Sequence, residues 1–243
     1  MKNHITRAAF LLLSVFVIGL TALMAQGGAA PAQEGDSTKV AGGGVMVKGW
    51  TGKVDAKETT AGLTLNNAKL AKDGKALHVT TGPATTYWNP ANTAKGDYTV
   101  SATFNEPKYM NLNDHPHPYG IMIGGNDLGT ENESYLYCAA YGNGTYIVRG
   151  FGPKPFQMGG RPPVANAAVH KAAAKGEPVT QLIAITVKGD KVSCSINNTV
   201  VATYDKSAVV GTGKLKSTDG IYGIRFAHNT DATVTDLRKT KAQ

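Results

Sequence analysis

The chain has 243 residues, of which 42% are hydrophobic and 17% charged, and its formal net charge at pH 7 is +8. Much of the positive charge comes from lysines scattered through predicted turns, such as Lys69, Lys72, Lys75 and Lys95. A nucleic-acid-binding surface needs clustered arginines with interleaved aromatic residues, whereas scattered lysines mainly favour solubility. Composition and charge therefore exclude nucleic acid as the expected partner.

Residues 1–25 have the pattern of a secretory signal peptide. Lys2 and Arg7 precede an almost unbroken apolar segment, and small residues with Gly and Pro follow it at once. Cleavage after Ala25 and cleavage after Ala32 both fit this pattern. The alternative is an uncleaved membrane anchor, but the segment is only marginally long enough to span a bilayer. We expect a periplasmic or secreted protein with no stable membrane insertion after cleavage.

The rest of the chain divides into a linker and one domain. Residues 26–44 are rich in Gly, Ala, Ser and charged residues, which predicts a flexible linker. Residues 45–243 follow, and a segment of about 200 residues is long enough for one all-β domain with a sizeable core.

Strand-like segments recur along this domain, bounded by Gly, Asn, Asp or Pro. The predicted strands are residues 63–65, 76–80, 98–104, 119–123, 135–141, 146–151, 181–188, 191–197, 199–205, 220–228 and 232–239. Gly142-Asn143-Gly144, Gly189-Asp190 and Asn197-Asn198 each predict a hairpin between neighbouring strands. The alanine-rich residues 165–175 predict a short helix. Successive hairpins imply antiparallel sheets.

Residues 134–141 predict a strand whose two faces differ in chemistry. Successive strand side chains point to opposite sides, so Leu136, Cys138 and Ala140 share one face, while Tyr135, Tyr137 and Tyr141 share the other. The first face is predicted to pack in the core. The second presents aromatic rings, which stack on the apolar C–H faces of sugars, and packing beneath a loop is the alternative for these tyrosines.

The two cysteines are both predicted to point into the core. Cys194 shares its face with Val192 and Ile196, and the serines on either side of it lie on the opposite face. In an exported protein Cys138 and Cys194 could form a disulfide if their Cα atoms lie within about 7 Å. Two free, buried thiols are the alternative, because cysteine also packs well as a small hydrophobic residue.

Residues 181–205 and 219–238 resemble the closing hairpins of concanavalin A-like β-sandwiches. More particularly, they are similar to the bacterial 3-keto-disaccharide hydrolase domain and its laminin G-like relatives, in which strands joined by Gly-Asp and Asn turns precede a Gly-x-x-Gly strand. The Gly-Asp-aromatic strand at residues 96–104 matches the same pattern. The resemblance covers residues 76–239 and implies an all-β, antiparallel two-sheet jelly-roll sandwich.

The sequence departs from the catalytic members of this fold. Glucanases of this fold place two carboxylates on one strand face with a Glu-x-Asp-x-x-Glu pattern, and no such spacing occurs in this sequence. Residues 157–176 also form a long Pro- and Ala-rich insertion. We therefore assign no catalytic residue.

Two arginines lie in the middle of predicted strands. If Val148 and Ile224 face the core, then Arg149 and Arg225 lie on the opposite face, where a guanidinium can donate to hydroxyl or carboxylate groups. A salt bridge to a neighbouring strand is the alternative. Trp88, in the turn-rich residues 82–90, could cap a ligand cleft or instead close the edge of the sandwich. The predicted carbohydrate-binding residues are Trp88, Tyr135, Tyr137, Arg149 and Arg225.

Residues 113–118 place His115 and His117 beside Asp114 in a proline-stiffened loop. This spacing permits a metal site, but two histidines without a third definite ligand favour an ordinary loop. The acidic residues 127–133 lack the spacing of a calcium loop and favour a solvated segment. We therefore assign no metal ligand and no cofactor.

The sequence favours an exported protein that binds poly- or oligosaccharide through the face opposite the core. One alternative is a glycoside hydrolase resembling the 3-keto-disaccharide hydrolases, in which His115, His117 or the acids of residues 127–133 assist the chemistry. A structural or protein-interaction module of the cell envelope is the third hypothesis.

Overall fold

The computed structural model describes residues 37–159 and 163–242. The predicted signal peptide and most of the predicted linker lie outside these residues. The N–H of Thr38 donates to Oδ1 of Asn229 at 2.8 Å, and the N–H of Val40 donates to the carbonyl of Asn67 at 3.2 Å. The chain thus contacts the folded domain before the predicted domain boundary at residue 45. Neither helix of the described residues is long and apolar enough to cross a membrane.

Most of the described residues lie in short strands. In chain order the strands are β1 Gly44–Val45, β2 Thr51–Val54, β3 Ala68–Asp73, β4 Ala76–Thr81, β5 Thr85–Ala94, β6 Tyr98–Glu106, β7 Tyr119–Asn126, β8 Ser134–Ala140, β9 Thr145–Phe151, β10 Pro155–Gln157, β11 Val164–Ala165, β12 Val179–Lys188, β13 Lys191–Ile196, β14 Thr199–Asp205, β15 Gly220–Phe226 and β16 Asp231–Lys241. The helices among the described residues are α1 Ala56–Thr60 and α2 Lys206–Val209.

The described strands form two sheets. The first sheet has the order β1-β3-β4-β16-β6-β12-β13-β14, and the second has the order β10-β9-β8-β7-β15-β5-β2, with β11 paired to β9. All pairs are antiparallel except β1 with β3. The predicted all-β, two-sheet antiparallel sandwich is confirmed.

The predicted core face is confirmed by burial. The side chains at alternate positions of β8 and β13 are almost fully buried: Leu136, Cys138, Ala140, Val192, Cys194 and Ile196. The serines that flank Cys194 are half-buried on the opposite face. A slip of one residue would reverse every side chain, so this burial establishes the register of both strands.

A disulfide joins the two sheets. It links Cys138 on β8 to Cys194 on β13, whose Cα atoms are 6.1 Å apart. Of the two states considered for these cysteines, the structure therefore has the bridge rather than two free thiols.

Two predicted elements are not formed. Residues 63–65 were expected to be a strand, but Thr64 caps a 3-10 turn over Leu65–Asn67, its Oγ1 accepting from the N–H of Asn66. Residues 165–175 were expected to be a helix, but the N–H of Ala172 donates to the carbonyl of Gly142 instead of to its own preceding turn. A short alanine-rich segment is a marginal helix alone, so tertiary hydrogen bonds decide its conformation.

The segment predicted to be turn-rich around Trp88 is mostly the long strand β5. It pairs with β15 through Trp88 and Gly223 and with β2 through Trp88 and Thr51. Pro90 is accommodated because β2 no longer pairs with β5 beyond Trp88, which leaves that side of β5 as an edge.

Glu106, at the end of β6, is a buried acid. The residue is only 7% exposed, and its Oε1 accepts from the N–H of Met110 at 3.0 Å. Burial raises the pKa of Glu106 to about 7, and the hydrogen bond from Met110 offsets only part of that increase. The folded protein therefore holds a proton on Glu106 at mildly acidic pH.

We expect the stability of the protein to fall between about pH 4.5 and pH 7 because of this group. In that window the folded state retains a proton that the unfolded state, with its ordinary pKa of 4.5, releases. Linkage then lowers the free energy of unfolding as pH rises, by about 3 kcal/mol in total. Glu106→Gln should remove this dependence, as measured by urea unfolding at several pH values. Glu177→Gln, at an exposed position, is the control; equal pH dependence in the Glu106→Gln variant and the unmodified protein would contradict the expectation.

Candidate functional site

The five residues predicted to bind carbohydrate lie on one face of the second sheet. Tyr137 pairs with Arg149 across β8 and β9, and Trp88 pairs with Gly223 across β5 and β15. Arg225, two residues along β15, lies on the same side, opposite Ile224, which points into the core. We call this side of the second sheet, facing away from the core, the outer face. The strand phase read from the sequence thus places residues of β8, β9 and β15 together, and the structure adds Trp88 from β5.

The second sheet curls toward its outer face. The hydroxyl of Tyr135 on β8 lies 2.9 Å from Oγ1 of Thr86 on β5, although β7 and β15 lie between those strands. Three interstrand steps of about 4.8 Å would separate the backbones by about 14 Å in a flat sheet, beyond the combined reach of the two side chains. The outer face is therefore concave.

The concave face is filled by its own side chains. These residues form an apolar cluster, the outer cluster: Trp88, Met122, Tyr135, Tyr137, Ala139 and Ile147. Tyr135 is 2% exposed, Tyr137 6% and Trp88 5%. Burial raises the pKa of both tyrosines, so their hydroxyls stay neutral. Of the two alternatives for these three rings, exposure toward a ligand and packing within the protein, the structure has the packing.

Arg225 is buried and paired rather than free. Its Nη1 and Nη2 donate to Oδ1 and Oδ2 of Asp55 at 2.7 and 2.5 Å. Its guanidinium lies 5.7 Å from the ring centre of Tyr137 and 5.9 Å from that of Phe151. Burial acts to lower the pKa of Arg225, but the charge of Asp55 outweighs it and the pKa lies above its ordinary value. Arg225 is thus a buried, charged residue that packs against the outer cluster and is neutralised by Asp55.

Arg149 is the one predicted binding residue that is exposed. Its Nε donates to Oε1 of Gln157 on β10 at 2.5 Å. Phe151, two residues further along β9, and Tyr141 at the end of β8 are half-buried beside the outer cluster. Among the described residues, the accessible part of this face therefore combines a guanidinium and two partly open aromatic rings.

Two of the three acids of residues 127–133, Asp127 and Glu133, are paired with lysines. Nζ of Lys53 lies 3.0 Å from Oε1 of Glu133 and donates to the carbonyl of Thr130 at 2.6 Å. Asp127 pairs with Lys216. The pair of Lys53 with Glu133 ties the loop between β7 and β8 to β2, next to the outer cluster.

Three histidines meet at one end of the second sheet. His115 and His117 precede β7 and His228 follows β15, and the pairing of Tyr119 with Phe226 brings those strand ends together. One ring nitrogen from each histidine lies within 4.8 Å of the others. We call these three residues the histidine cluster. The prediction of an ordinary loop depended on the lack of a third ligand, and His228 supplies one.

A carboxylate from α1 lies against the histidine cluster. Oε1 of Glu58 is 3.5 Å from Nδ1 of His228, and Oε2 of Glu58 accepts from the N–H of Ala84 at 2.6 Å. Burial acts to raise the pKa of Glu58, but these hydrogen bonds outweigh it and hold the pKa below its ordinary value. Glu58 is therefore ionised beside His228 at neutral pH.

Sequence reasoning missed three residues of these sites. Asp55, Glu58 and His228 lie far along the chain from the groups that they contact, since Asp55 and Arg225 are 170 positions apart. The sequence around a single Asp, Glu or His does not indicate which distant residue its side chain contacts. The sequence signal that remained was only that Arg225 interrupts an apolar strand and needs a buried counter-charge.

Comparison with known proteins places the fold. No protein-family model matches the sequence, and no curated protein matches it. Among solved structures, a carbohydrate-binding module, CBM66 from Bacillus subtilis, superposes with a TM-score of 0.52 at 9% identity, covering 81% of this chain and 98% of that one. A Bacillus subtilis protein of unknown function with a galectin-like fold gives a TM-score of 0.52 at 15% identity, covering 80% and 90%. The chain has the galectin-like and concanavalin A-like β-sandwich fold.

Asp55→Ala should destabilise the protein by about 3 to 5 kcal/mol, because it leaves the buried guanidinium of Arg225 without its counter-charge. The double variant Asp55→Ala/Arg225→Met should lose less, since it removes both charges. Urea unfolding measures both values, with Asp73→Ala, at an exposed position, as the control. If the single variant were as stable as the control, the Asp55–Arg225 pair would have no structural role.

Proposed function

We propose that this protein is an exported carbohydrate-binding β-sandwich protein, periplasmic or secreted, which holds poly- or oligosaccharide on its outer face. The observation that carries the proposal is the convergence of Trp88, Tyr137, Arg149 and Arg225 from four strands onto one concave face. Concave surfaces with aromatic walls and a few well-placed polar groups are typical of small-ligand sites. The fold, shared with a carbohydrate-binding module, is compatible with this function.

The burial of the outer cluster assigns different roles to its members. Arg149 is the accessible hydrogen-bonding group, held by Gln157, whose Nε2 donates to the carbonyls of Val148 and Met158. The half-buried rings of Phe151 and Tyr141 are the surfaces on which a sugar ring can stack. Tyr135, Tyr137, Trp88 and Arg225 lie beneath and hold this surface rigid. A preorganised surface loses little conformational entropy when it binds a ligand.

Replacing Arg149 by Ala should weaken carbohydrate binding by about 1 to 3 kcal/mol, or roughly 5- to 150-fold, because it removes a charge-assisted hydrogen bond from the ligand. A glycan array identifies the ligand, and calorimetry with that ligand gives the affinity. Arg238→Ala removes the same group from the first sheet and should leave the affinity unchanged.

Stability is measured on both variants, because Arg149 is exposed and its loss should leave the fold intact. Unchanged affinity in the Arg149→Ala variant would remove the outer face from consideration. If the protein binds no glycan on the array, the result would favour the hypothesis of a structural module of the cell envelope.

A second candidate function is glycoside hydrolysis, as in the 3-keto-disaccharide hydrolases that the sequence resembles. Histidines and carboxylates converge at the end of the same sheet, since His115 contacts Asp114 at 2.6 Å and His228 faces Glu58. Imidazole beside a carboxylate is suited to general acid–base chemistry. The segment that contains Asp55 and Glu58 connects this cluster to the outer face.

If the protein is such an enzyme, it should release monosaccharide from a 3-keto-disaccharide, and His117→Gln should lower the turnover at least about 100-fold. His170→Gln, at an exposed position away from the cluster, should leave turnover unchanged. Product analysis by chromatography gives the rates. Binding without any product, in a protein that still passes the Arg149 test, would leave the carbohydrate-binding proposal intact and exclude the enzyme.

A further inference from the structure

The ring nitrogens of the histidine cluster are arranged as metal ligands. Nε2 of His115 and Nε2 of His117 lie 2.7 Å apart, and the rings of His117 and His228 meet edge to face with centres 4.0 Å apart. His117 is buried, His228 has a side chain 13% exposed, and His115 has a side chain 38% exposed. The cluster is therefore enclosed on two sides and reachable by solvent beside His115.

The other ring nitrogen of each histidine faces an acceptor. Nδ1 of His115 lies 2.6 Å from Oδ1 of Asp114, and Nδ1 of His117 lies 2.5 Å from the carbonyl of His228. Nδ1 of His228 faces Oε1 of Glu58 at 3.5 Å. Carboxylates and carbonyls only accept, so each Nδ1 carries the hydrogen and each Nε2 keeps a lone pair.

One further contact bears on the tautomer of His117. The side-chain amide nitrogen of Asn113 lies 3.0 Å from Nδ1 of His117, and one of its two hydrogens is donated to the carbonyl of Asn229 at 2.6 Å. Nδ1 of His117 is closer to the carbonyl of His228, which cannot donate. The shorter contact therefore decides that Nδ1 of His117 is the donor.

This tautomer pattern leaves the inner nitrogens without hydrogens. Nε2 of His228 is buried and has no hydrogen-bond partner among the described residues. Leaving a buried polar atom unpaired costs about 1 to 3 kcal/mol, and two lone pairs facing each other at 2.7 Å repel. A cation bound by all three nitrogens removes both costs, whereas a proton shared by His115 and His117 would leave His228 unpaired.

We propose that His115, His117 and His228 bind a first-row divalent transition metal, with Zn²⁺ as the ion, and that Asp114 and Glu58 orient two of the ligands. Imidazole nitrogens select zinc-like ions over Ca²⁺ and Mg²⁺, which prefer oxygen. Metal-bound histidines generally donate their second N–H to a carboxylate or carbonyl, and each of these three rings faces such an acceptor.

The geometry needs one adjustment. Zinc–nitrogen bonds of about 2.0 to 2.1 Å in a tetrahedral site place the ligand nitrogens about 3.3 Å apart. The 2.7 Å between His115 and His117 must therefore open by about 0.6 Å. His115 is the most exposed of the three and belongs to the loop before β7, so its ring can move outward.

The test is Zn²⁺ binding to the purified protein after treatment with a chelator, measured by calorimetry. We expect one Zn²⁺ per chain, and weakening of about 100-fold in each of the variants His115→Gln, His117→Gln and His228→Gln. Glu58→Gln should weaken binding by about 10-fold, as expected for an orienting residue. His170→Gln is the matched control and should bind as the unmodified protein does.

A second measurement identifies the coordination. Co²⁺ should give the intense visible absorption of a four-coordinate site, and this absorption should be lost in the His115→Gln variant, whose exposed position makes it the least disturbing to the fold. Circular dichroism confirms that each variant is folded. The proposal is overturned if Zn²⁺ binds no more tightly than to a variant lacking all three histidines, if His170→Gln weakens binding equally, or if Ca²⁺ binds in preference to Zn²⁺. This inference does not depend on carbohydrate binding or on enzymatic activity, because no substrate is present in either measurement.

Discussion

The arrangement of the whole domain depends on the antiparallel pairing of β7, β8 and β15 in the middle of the second sheet, where both faces are buried. Toward the core, Ile121, Cys138 and Ile224 are fully buried; toward the outer face, Met122 and Tyr137 are nearly so. A one-residue slip would exchange the two sets, placing aromatic rings in the core and the disulfide cysteine outside. Because both faces are buried, a slip in register would disturb the packing on both sides of the sheet. The positions of the disulfide, the outer cluster and the histidine cluster follow from this register.

The same register imposes a charge that the domain must neutralise. Arg225 points to the outer face beneath Tyr137, where a guanidinium without a partner would be costly, and Asp55 provides the partner from the turn before α1. Three residues later, Glu58 faces His228. Residues 55–58 therefore contact both Arg225, which lies against Tyr137, and the histidine cluster.

The filled concave face limits the surface that the proposed carbohydrate ligand can reach. The alternating strand pattern predicts exposed rings, but in the structure these rings are packed against one another. Among the described residues, the accessible groups at the border of the cluster include Arg149 and two partly open rings. Such a surface suits a ligand that lies across the face rather than one enclosed in a pocket. The histidine cluster, at the end of the same sheet, has the enclosed geometry that the outer face lacks.

The alternation of apolar and polar residues determined the strands β6 to β9 and β12 to β16, their hairpins and the core face, because strand side chains alternate with a period of two whatever their partners are. It also placed Tyr135, Tyr137, Arg149 and Arg225 on one face. Only the tertiary structure decided that three of these four side chains are buried, that Trp88 belongs to a strand, and that residues 165–175 are not a helix. It alone brought Asp55 to Arg225 and His228 to His117, which are 170 and 111 positions apart. Local periodicity records which side of a strand faces inward, whereas the burial of the other side and the partner of a lone charged residue depend on which distant segments the sheets bring together.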